Sequence, residues 1–188
     1  MKLVLAVTGA SGAEIALRLA EILRKKSVEL AIVISENAKK VFEHETGIKP
    51  EEADGMFSNF GKIFENDDFA SVLASGSSFD YEGMVILPCS MKTLAAIANG
   101  LEINLICRAA SVCLKEKKTL VVCPRETPLR VVHVENMLRL AKEGAIILPL
   151  MMSFYGKGKG YEFSINNILG KILRFFNLEF EENGRWGE

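Results

Sequence analysis

The stretch Thr119-Leu-Val-Val-Cys-Pro-Arg-Glu-Thr-Pro128 determines how this sequence is organised. Its β-favouring residues lie between charged residues and a proline, a pattern typical of a strand buried on both faces of a parallel sheet. Arg125 and Glu126 follow directly after Pro124. Ligands bind outside the carboxyl ends of strands in an open parallel sheet, so these two side chains are candidates for a ligand site. A solvated polar loop is the alternative interpretation of the same pair.

The rest of the chain alternates short apolar runs with segments of helical periodicity. The predicted strands are residues 2–7, 29–35, 63–64, 84–89, 119–123 and 145–148, and the main predicted helices are 13–26, 36–46, 94–98, 104–117, 129–143 and 165–176. This alternation predicts one α/β domain over residues 1–188, a doubly wound parallel sheet of the Rossmann-like or flavodoxin-like class with helices on both faces. Residues 49–61 are expected to form a loop with room for one short helix, and residues 67–78 to lie outside the core.

The composition excludes several classes of partner. The 23 Lys and Arg residues balance 24 Asp and Glu residues, which leaves no basic surface for nucleic acid or an anionic membrane. The near-neutral charge and the 49% of hydrophobic residues indicate that other copies of the chain cover part of the surface. The apolar run at the N-terminus is too short for a secretion signal, and no run is long enough to cross a membrane. We therefore expect a cytoplasmic protein that binds small molecules and copies of itself.

The cysteine and histidine pattern argues against a metal site. No C-x-x-C pair occurs, and the two histidines, His44 and His133, lie far from most of the cysteines. The cysteines end apolar runs or fall within a helical pattern, which is typical of reduced, buried thiols; they are Cys89, Cys107, Cys113 and Cys123. Neither histidine has an identifiable partner, so packed or exposed structural roles are favoured over catalysis.

The turn Gly9-Ala-Ser-Gly12 follows the first predicted strand and opens a helix. Its amides and the positive end of the helix dipole point toward one place, which suits a phosphate. The pattern lacks the glycines of the dinucleotide fingerprint and is not a Walker loop, so a single phosphate is favoured over a pyrophosphate. Ser11 would add a hydroxyl, and Ser35 at the end of the neighbouring strand would add another. A tight turn with a helix N-cap is the alternative.

A third predicted strand end carries Ser90-Met-Lys-Thr93, again with hydroxyls at the start of a helix. Together with Arg125, the three strand ends outline one continuous ligand crevice. Arg108 and Lys115 lie two helical turns apart, on one helix face that either looks into this crevice or is a solvated face. Phe154-Tyr155, beside a loop rich in lysine and glycine, is either a lid over the crevice or a hydrophobic anchor.

Several motifs stand in order along the whole chain: Gly9-Ala-Ser-Gly12, Ala74-Ser-Gly-Ser-Ser78, Pro88-Cys-Ser-Met-Lys-Thr-Leu-Ala-Ala-Ile-Ala98, Arg108-Ala-Ala110, Pro124-Arg-Glu-Thr-Pro128, His133-Val-Glu-Asn-Met-Leu138, Phe154-Tyr155 and Arg185-Trp-Gly187. Together they resemble the UbiX-type flavin prenyltransferases. The combination is specific although each motif alone is common. The resemblance implies an enzyme that joins the dimethylallyl group of dimethylallyl phosphate to N5 and C6 of reduced FMN. It also implies a homododecamer whose product, prenylated FMN, serves a UbiD-type decarboxylase.

The resemblance also assigns roles to individual positions. The implied FMN-binding residues are Gly9, Ala10, Ser11, Ser35, Ser90, Met91, Lys92, Thr93 and Arg125. The implied residues for dimethylallyl phosphate are Arg108, Lys115, Arg125, Tyr155 and Lys171, and the implied acid–base residues are Glu45, Lys115 and Glu126. An allylic phosphate leaves only where fixed cations and donors stabilise its developing charge, so protein cations replace a metal here. Glu126, Glu45 or the phosphate itself would accept the proton lost from C6.

Three positions depart from the family pattern. Lys171 stands where an arginine is common, Phe69 replaces a tryptophan, and Gly156-Lys-Gly-Lys-Gly160 differs from the usual lid sequence. These departures leave open whether the donor is a monophosphate or a pyrophosphate.

Two other functions suit the same predicted crevice. An FMN-dependent cysteine decarboxylase is disfavoured, because Pro149-Leu-Met-Met-Ser-Phe154 lacks the asparagine and tryptophan of the pattern in those enzymes. A non-enzymatic FMN-binding or delivery protein would not need cations beyond those for the FMN phosphate.

Overall fold

The computed structural model describes residues 1–153 and 160–180. Its framework is one six-stranded sheet in which every neighbouring pair of strands is parallel, in the order β3-β2-β1-β4-β5-β6. The strands are β1 Lys2–Val7, β2 Glu29–Ile34, β3 Lys62–Phe64, β4 Gly83–Cys89, β5 Thr119–Pro124 and β6 Ile146–Ile147. The predicted α/β fold with a doubly wound parallel sheet is confirmed.

Helices cover both faces of the sheet. They are α1 Ala13–Lys25, α2 Glu36–Thr46, α3 Pro50–Ser58, α4 Met91–Ala98, α5 Leu105–Lys115, α6 Val131–Lys142 and α7 Tyr161–Arg174. Side chains alternate along β1, so Leu3 and Leu5 pack with α1, α2, α3 and α7, while Val4 and Ala6 pack with α4, α5 and α6. No helix within the described residues is both long enough and apolar enough to cross a membrane.

The structure differs from the sequence-based expectation in three segments. Residues 50–58 form the helix α3, in which Ala53 and Phe57, one helical turn apart, are buried. Helix α7 begins four residues before the predicted start at residue 165. The expectation that residues 67–78 lie outside the core is wrong, because Leu73 is fully buried and a 3₁₀ helix, Val72–Ala74, packs against α5. One leucine among small polar residues is a weak signal in the sequence, but the burial of its side chain is enough to anchor the segment in the core.

The carboxyl ends of β1 and β4 meet at the point where the chain order of the sheet reverses. Thr8, which follows β1 and is buried, donates its hydroxyl hydrogen to Pro88 O at 2.9 Å and accepts from Ser90 N at 2.7 Å. Ligand crevices of doubly wound sheets form at this switch point. Thr8 therefore fixes the two strand ends from which the candidate site is built.

Candidate active site

The turn between β1 and α1 binds a carboxylate of the chain itself. Gly12 N and Ala13 N donate to the two carboxylate oxygens of Glu45, at 2.7 and 2.9 Å. The φ of Gly12 is +110°, and a Cβ there would lie 3.2 Å from the side chain of Leu150, so glycine is required. The N-terminal end of a helix favours a negative charge. The turn thus binds the Glu45 carboxylate through the amides that were predicted to bind an anion. Binding of the FMN phosphate by this turn stays a prediction.

A cavity of about 440 Å³, the Arg125 cavity, lies beside this turn. Ser11 from the β1–α1 turn, Glu45 from α2 and Arg125 from the end of β5 all line it. Its apolar wall consists of Ile15, Leu150, Met151, Met152, Ile165 and Ile168. The structure therefore brings together three residues that were assigned separately from the sequence, with an apolar surface beside them.

A neighbouring cavity of about 390 Å³ contains Glu126. Arg125 lines both cavities, and its amide donates to Cys89 O at 3.3 Å, which joins the ends of β5 and β4. The Oε1 atom of Glu126 accepts from Thr127 N at 3.0 Å. The end of β5 thus places Arg125 between two adjoining cavities and Glu126 in one of them.

The remaining strand ends follow one another along the same edge of the sheet. Ser35 ends β2 and caps α2, its Oγ accepting from Ala38 N at 3.2 Å. Ser90 ends β4 and caps α4, its Oγ lying 3.3 Å from Thr93 N and 3.1 Å from Thr93 Oγ1. Both serines are therefore helix N-caps. Each hydroxyl has further hydrogen-bonding capacity, so the FMN assignments of these residues stay predictions.

The small residues of the first turn have packing reasons for their size. A Cβ on Gly9 would lie 2.6 Å from the Cβ of Asn37 in α2, so glycine allows α2 to approach the turn. Ala10 is buried, and its amide donates to Thr8 O at 2.8 Å. Met91 and Lys92 form the first turn of α4, next to the Ser90 cap.

Arg108 and Lys115 lie on one face of α5, as their spacing predicts, but this face contacts residues 74–76. Arg108 Nε donates to Ala74 O at 2.8 Å, and its terminal nitrogen donates to both oxygens of Glu102 at 2.8 and 2.9 Å. We call this region the Arg108 corner. Neither residue is among those that line the two described cavities, so the assignment of both to the crevice stays a prediction. Spacing defines a helix face but not its direction, which is set here by the packing of α5 against the 3₁₀ helix.

Lys115 completes the Arg108 corner. Its ammonium pairs with Glu116 at 3.0 Å and lies 2.4 Å from the position that a Cβ on Gly76 would take. Glycine at residue 76 therefore makes room for the lysine. Lys171 is exposed on α7 and is absent from the described lining of both cavities. Tyr155, like Phe154 and Arg185-Trp-Gly187, lies outside the described residues.

The cysteines are buried, as predicted. Burial raises the pKa of the Cys107 thiol to about 11 and that of Cys113 to about 12, and raises the pKa values of Cys89 and Cys123 well above the ordinary range. Thiols that stay protonated are poor nucleophiles and poor metal ligands. In residues 1–153 and 160–180, no group of His, Cys, Asp and Glu side chains is arranged to hold a metal ion.

Two residues of the Arg125 cavity were missed because α7 begins earlier than its apolar pattern indicates. Tyr161 is 55% exposed and lines the cavity, and its partial burial, with Glu14 and Glu45 nearby, raises the pKa of its phenol. The Ser164 hydroxyl accepts from Ser153 N at 3.2 Å and donates to Ser153 O at 3.3 Å. The signal available in the sequence was Ser164, directly before the apolar stripe of the predicted amphipathic helix.

Comparison with known proteins decides the family. The family model described as Flavoprotein matches residues 1–177. The chain is 42% identical over 187 residues to the flavin prenyltransferase UbiX of Methanocaldococcus jannaschii, covering 100% of this chain and 99% of that protein. This chain belongs to the flavin prenyltransferase family.

Solved structures agree with this family. AnUbiX (PadA1) in complex with FMN and dimethylallyl pyrophosphate has a TM-score of 0.91 at 37% identity, covering 100% of this chain and 97% of that one. A dodecameric FMN-dependent UbiX-like decarboxylase from Escherichia coli O157:H7 has a TM-score of 0.92 at 37% identity, covering 100% of both chains. The FMN-dependent cysteine decarboxylase TvaF has a TM-score of 0.61 at 16% identity, covering 78% of this chain and 88% of that one, a likeness of fold alone.

The described residues fit FMN, the cofactor of the family. Backbone amides and hydroxyls at three adjacent strand ends, with the arginine at a fourth, are the donors that a flavin phosphate requires. The apolar wall of the Arg125 cavity suits the faces of an aromatic ring system. These amides, hydroxyls and the arginine can bind the phosphate without a metal ion.

Proposed function

We propose that this protein acts as one flavoprotein domain over residues 1–188 and transfers the dimethylallyl group of dimethylallyl phosphate to N5 and C6 of reduced FMN. Its product, prenylated FMN, would serve a UbiD-type decarboxylase in the cytoplasm. The observation that carries the proposal is the convergence of Ser11, Glu45 and Arg125 on one cavity at the carboxyl edge of the sheet. FMN binding is assigned to the strand-end residues Gly9, Ala10, Ser11, Ser35, Ser90, Met91, Lys92, Thr93 and Arg125.

The donor phosphate needs more cations than Arg125 alone. Tyr155 and Lys171 are assigned to it together with Arg108 and Lys115, which lie in the Arg108 corner of the same chain. We propose that the chain assembles into a homododecamer and that α5 of a neighbouring copy supplies these two cations. The exposed apolar side chains of α6, Val131, Val134 and Leu138, support an assembly that buries them. Light scattering that finds a monomer at micromolar concentration would contradict it.

Two carboxylates are held differently and suit different tasks. Both oxygens of Glu45 accept hydrogen bonds from backbone amides at the start of α1, which fixes the position of this side chain. Glu126 accepts one amide hydrogen bond and lines the second cavity beside Arg125. Reduced FMN supplies the nucleophilic nitrogen and carbon, and a carboxylate or the departing phosphate accepts the proton displaced from C6.

The test is anaerobic incubation of the protein with reduced FMN and dimethylallyl phosphate. We expect one inorganic phosphate released for each prenylated FMN, measured by a phosphate assay and by the mass of the flavin. Oxidised FMN with the same donor is the control and should release none. Tight FMN binding without phosphate release would instead favour a flavin-delivery protein. Carbon dioxide released from a peptide ending in cysteine would favour a decarboxylase.

A further inference from the structure

The Arg125 cavity adjoins a second chamber of almost the same size. The two cavities measure about 440 and 390 Å³ and share Arg125, Leu150, Met151 and Met152. One cation is therefore available to a ligand in either cavity. Apart from Glu126, the residues that line only the second chamber have no role in the transfer of a five-carbon dimethylallyl group as proposed above.

The shared wall is fixed at both ends but adaptable between them. Leu150 N donates to Pro124 O at 3.1 Å, and Ser153 is bonded through its amide and carbonyl to the buried hydroxyl of Ser164. Between these anchors, Met151 and Met152 are 68% and 59% exposed. Unbranched thioether side chains fill irregular spaces and change rotamer at low cost. Met151 and Met152 are therefore the adaptable part of the wall that the two cavities share.

The second chamber is apolar away from its charged boundary. Leu129, Met137 and Pro149 line it together with the shared wall, and its only charged lining residues among those described are Arg125 and Glu126. A chamber with Arg125, Glu126 and Thr127 at one end and hydrocarbon elsewhere fits an amphiphile whose anionic head binds the arginine and whose tail is apolar. A free nucleotide or sugar phosphate would leave polar groups against this apolar surface without partners.

We propose that the second chamber accommodates the additional isoprene unit of a ten-carbon allylic monophosphate, so that the enzyme also accepts geranyl phosphate. The inference rests on the proposed function. The C1–O bond of the donor breaks and its electron pair leaves with phosphate, while C1 bonds to N5 of reduced FMN and the N5 proton passes to phosphate. Ring closure joins C3 to C6, and the proton lost from C6 is balanced by one gained at C2. The flavin thus gains a ten-carbon unit, one hydrogen phosphate is released, and no oxidant is consumed.

The experiment compares the two donors in variants that fill the second chamber only. Leu129→Trp places a large ring where the leucine is already 46% exposed, and Met137→Phe is a second, smaller filling. We expect each to lower kcat/KM for geranyl phosphate by at least about tenfold, with kcat/KM for dimethylallyl phosphate within about twofold of wild type. Lys142→Trp, at an exposed position at the end of α6, outside both cavities and outside the apolar set of that helix, is the matched control and should spare both donors. FMN fluorescence and light scattering check that each variant is folded and assembled.

The outcomes separate this inference from the proposed function. A wild-type protein that turns over dimethylallyl phosphate but not geranyl phosphate overturns the inference and leaves the proposed function standing. Filled variants that use geranyl phosphate as well as the wild type also overturn it, because the tail would then lie elsewhere. If neither donor releases phosphate, the proposed function is refuted and the inference with it. Selective loss of the longer donor in both filled variants supports the second chamber as its tail site.

Discussion

The Arg125 cavity and the Arg108 corner contain the same kinds of side chain but arrange them in opposite ways. Glu45 in the cavity accepts backbone amides, and Arg125 lies at the boundary of two chambers. Arg108 in the corner donates to a carbonyl oxygen and to both oxygens of Glu102, so its charge is balanced within the chain. This difference is what the proposed assembly requires, in which the Arg108 corner of one copy would complete the Arg125 cavity of another.

The largest effect is expected at Ser11, on the cavity side of this comparison. Ser11→Glu places a second carboxylate beside Glu45 and repels the FMN phosphate, so we expect FMN affinity to fall by at least about a hundredfold. Residue 11 is exposed, so the fold should tolerate the change. Ser11→Gln adds similar bulk without charge and should weaken binding much less. Fluorescence titration of FMN measures both, and unchanged affinity in Ser11→Glu would place the phosphate at another strand end.

An effect of comparable size concerns Glu126, which lines the second cavity beside Arg125. Glu126→Gln keeps the shape and the hydrogen bond from Thr127 but removes the proton acceptor. FMN and dimethylallyl phosphate should still bind, while prenylated FMN forms about a hundred- to ten-thousandfold more slowly. Stopped-flow absorbance of the flavin in a single turnover is the measurement.

Glu45→Gln provides the matched comparison for Glu126. In the glutamine, an NH2 group replaces one of the two oxygens that accept from Gly12 and Ala13, and this group cannot accept a hydrogen bond, so the variant should also disturb the α1 turn. A wild-type single-turnover rate in Glu126→Gln would leave Glu45 or the departing phosphate as the proton acceptor. Glu126 would then serve only as a structural neighbour of Arg125.

A mixing experiment tests directly whether the two regions meet between chains. Arg108→Ala and Glu126→Gln should each be nearly inactive alone, because each removes one half of the site. If the halves come from different copies, an equal mixture of the two variants that is dissociated and reassembled should contain some sites in which neither residue is changed. With random mixing, each half of a site is unmodified in half of the cases, so about a quarter of wild-type activity should return. Recovery that stays at the level of the separate variants would show that both residues act from the same chain.

The sequence predicted the fold well because its signals are local and periodic. Apolar runs ending in serine, cysteine or proline mark the strands, and their parallel order places Ser35, Ser11, Ser90 and Arg125 along one edge. The direction of the Arg108 face was not predictable, because it depends on Leu73 packing from a distant segment. Thr8 was missed for a similar reason, since its hydrogen bonds reach residues about eighty positions away.

The smallest effect is expected at Glu102, which balances Arg108 in the corner. Hydrogen bonds from Ser111 and Arg108 lower the pKa of the Glu102 carboxyl. When the pKa of a carboxyl is lower in the folded protein than in the unfolded chain, its ionised form stabilises the fold at pH values above the unfolded-state pKa. This stabilisation is lost as the pH falls through the folded-state pKa. The side chains are partly exposed, so Glu102→Gln should cost only about 0.2–1 kcal/mol in urea unfolding at pH 7. The difference from wild type should vanish well below the ordinary pKa of glutamate, about 4.3.

The same variant tests whether Arg108 serves a neighbouring site. Glu102→Gln removes the carboxylate that competes with the donor phosphate for Arg108, while the hydrogen bond to Ala74 O still holds the Arg108 guanidinium. KM for dimethylallyl phosphate should therefore fall by a factor of about 1.4 to 5. Glu21→Gln is the matched control, because it breaks an exposed ion pair with Lys25 on α1, away from both regions, and should leave KM unchanged. If KM is the same in both variants and in the wild type, Arg108 does not reach the phosphate. The Arg108 corner would then be a structural contact between α5 and the 3₁₀ helix.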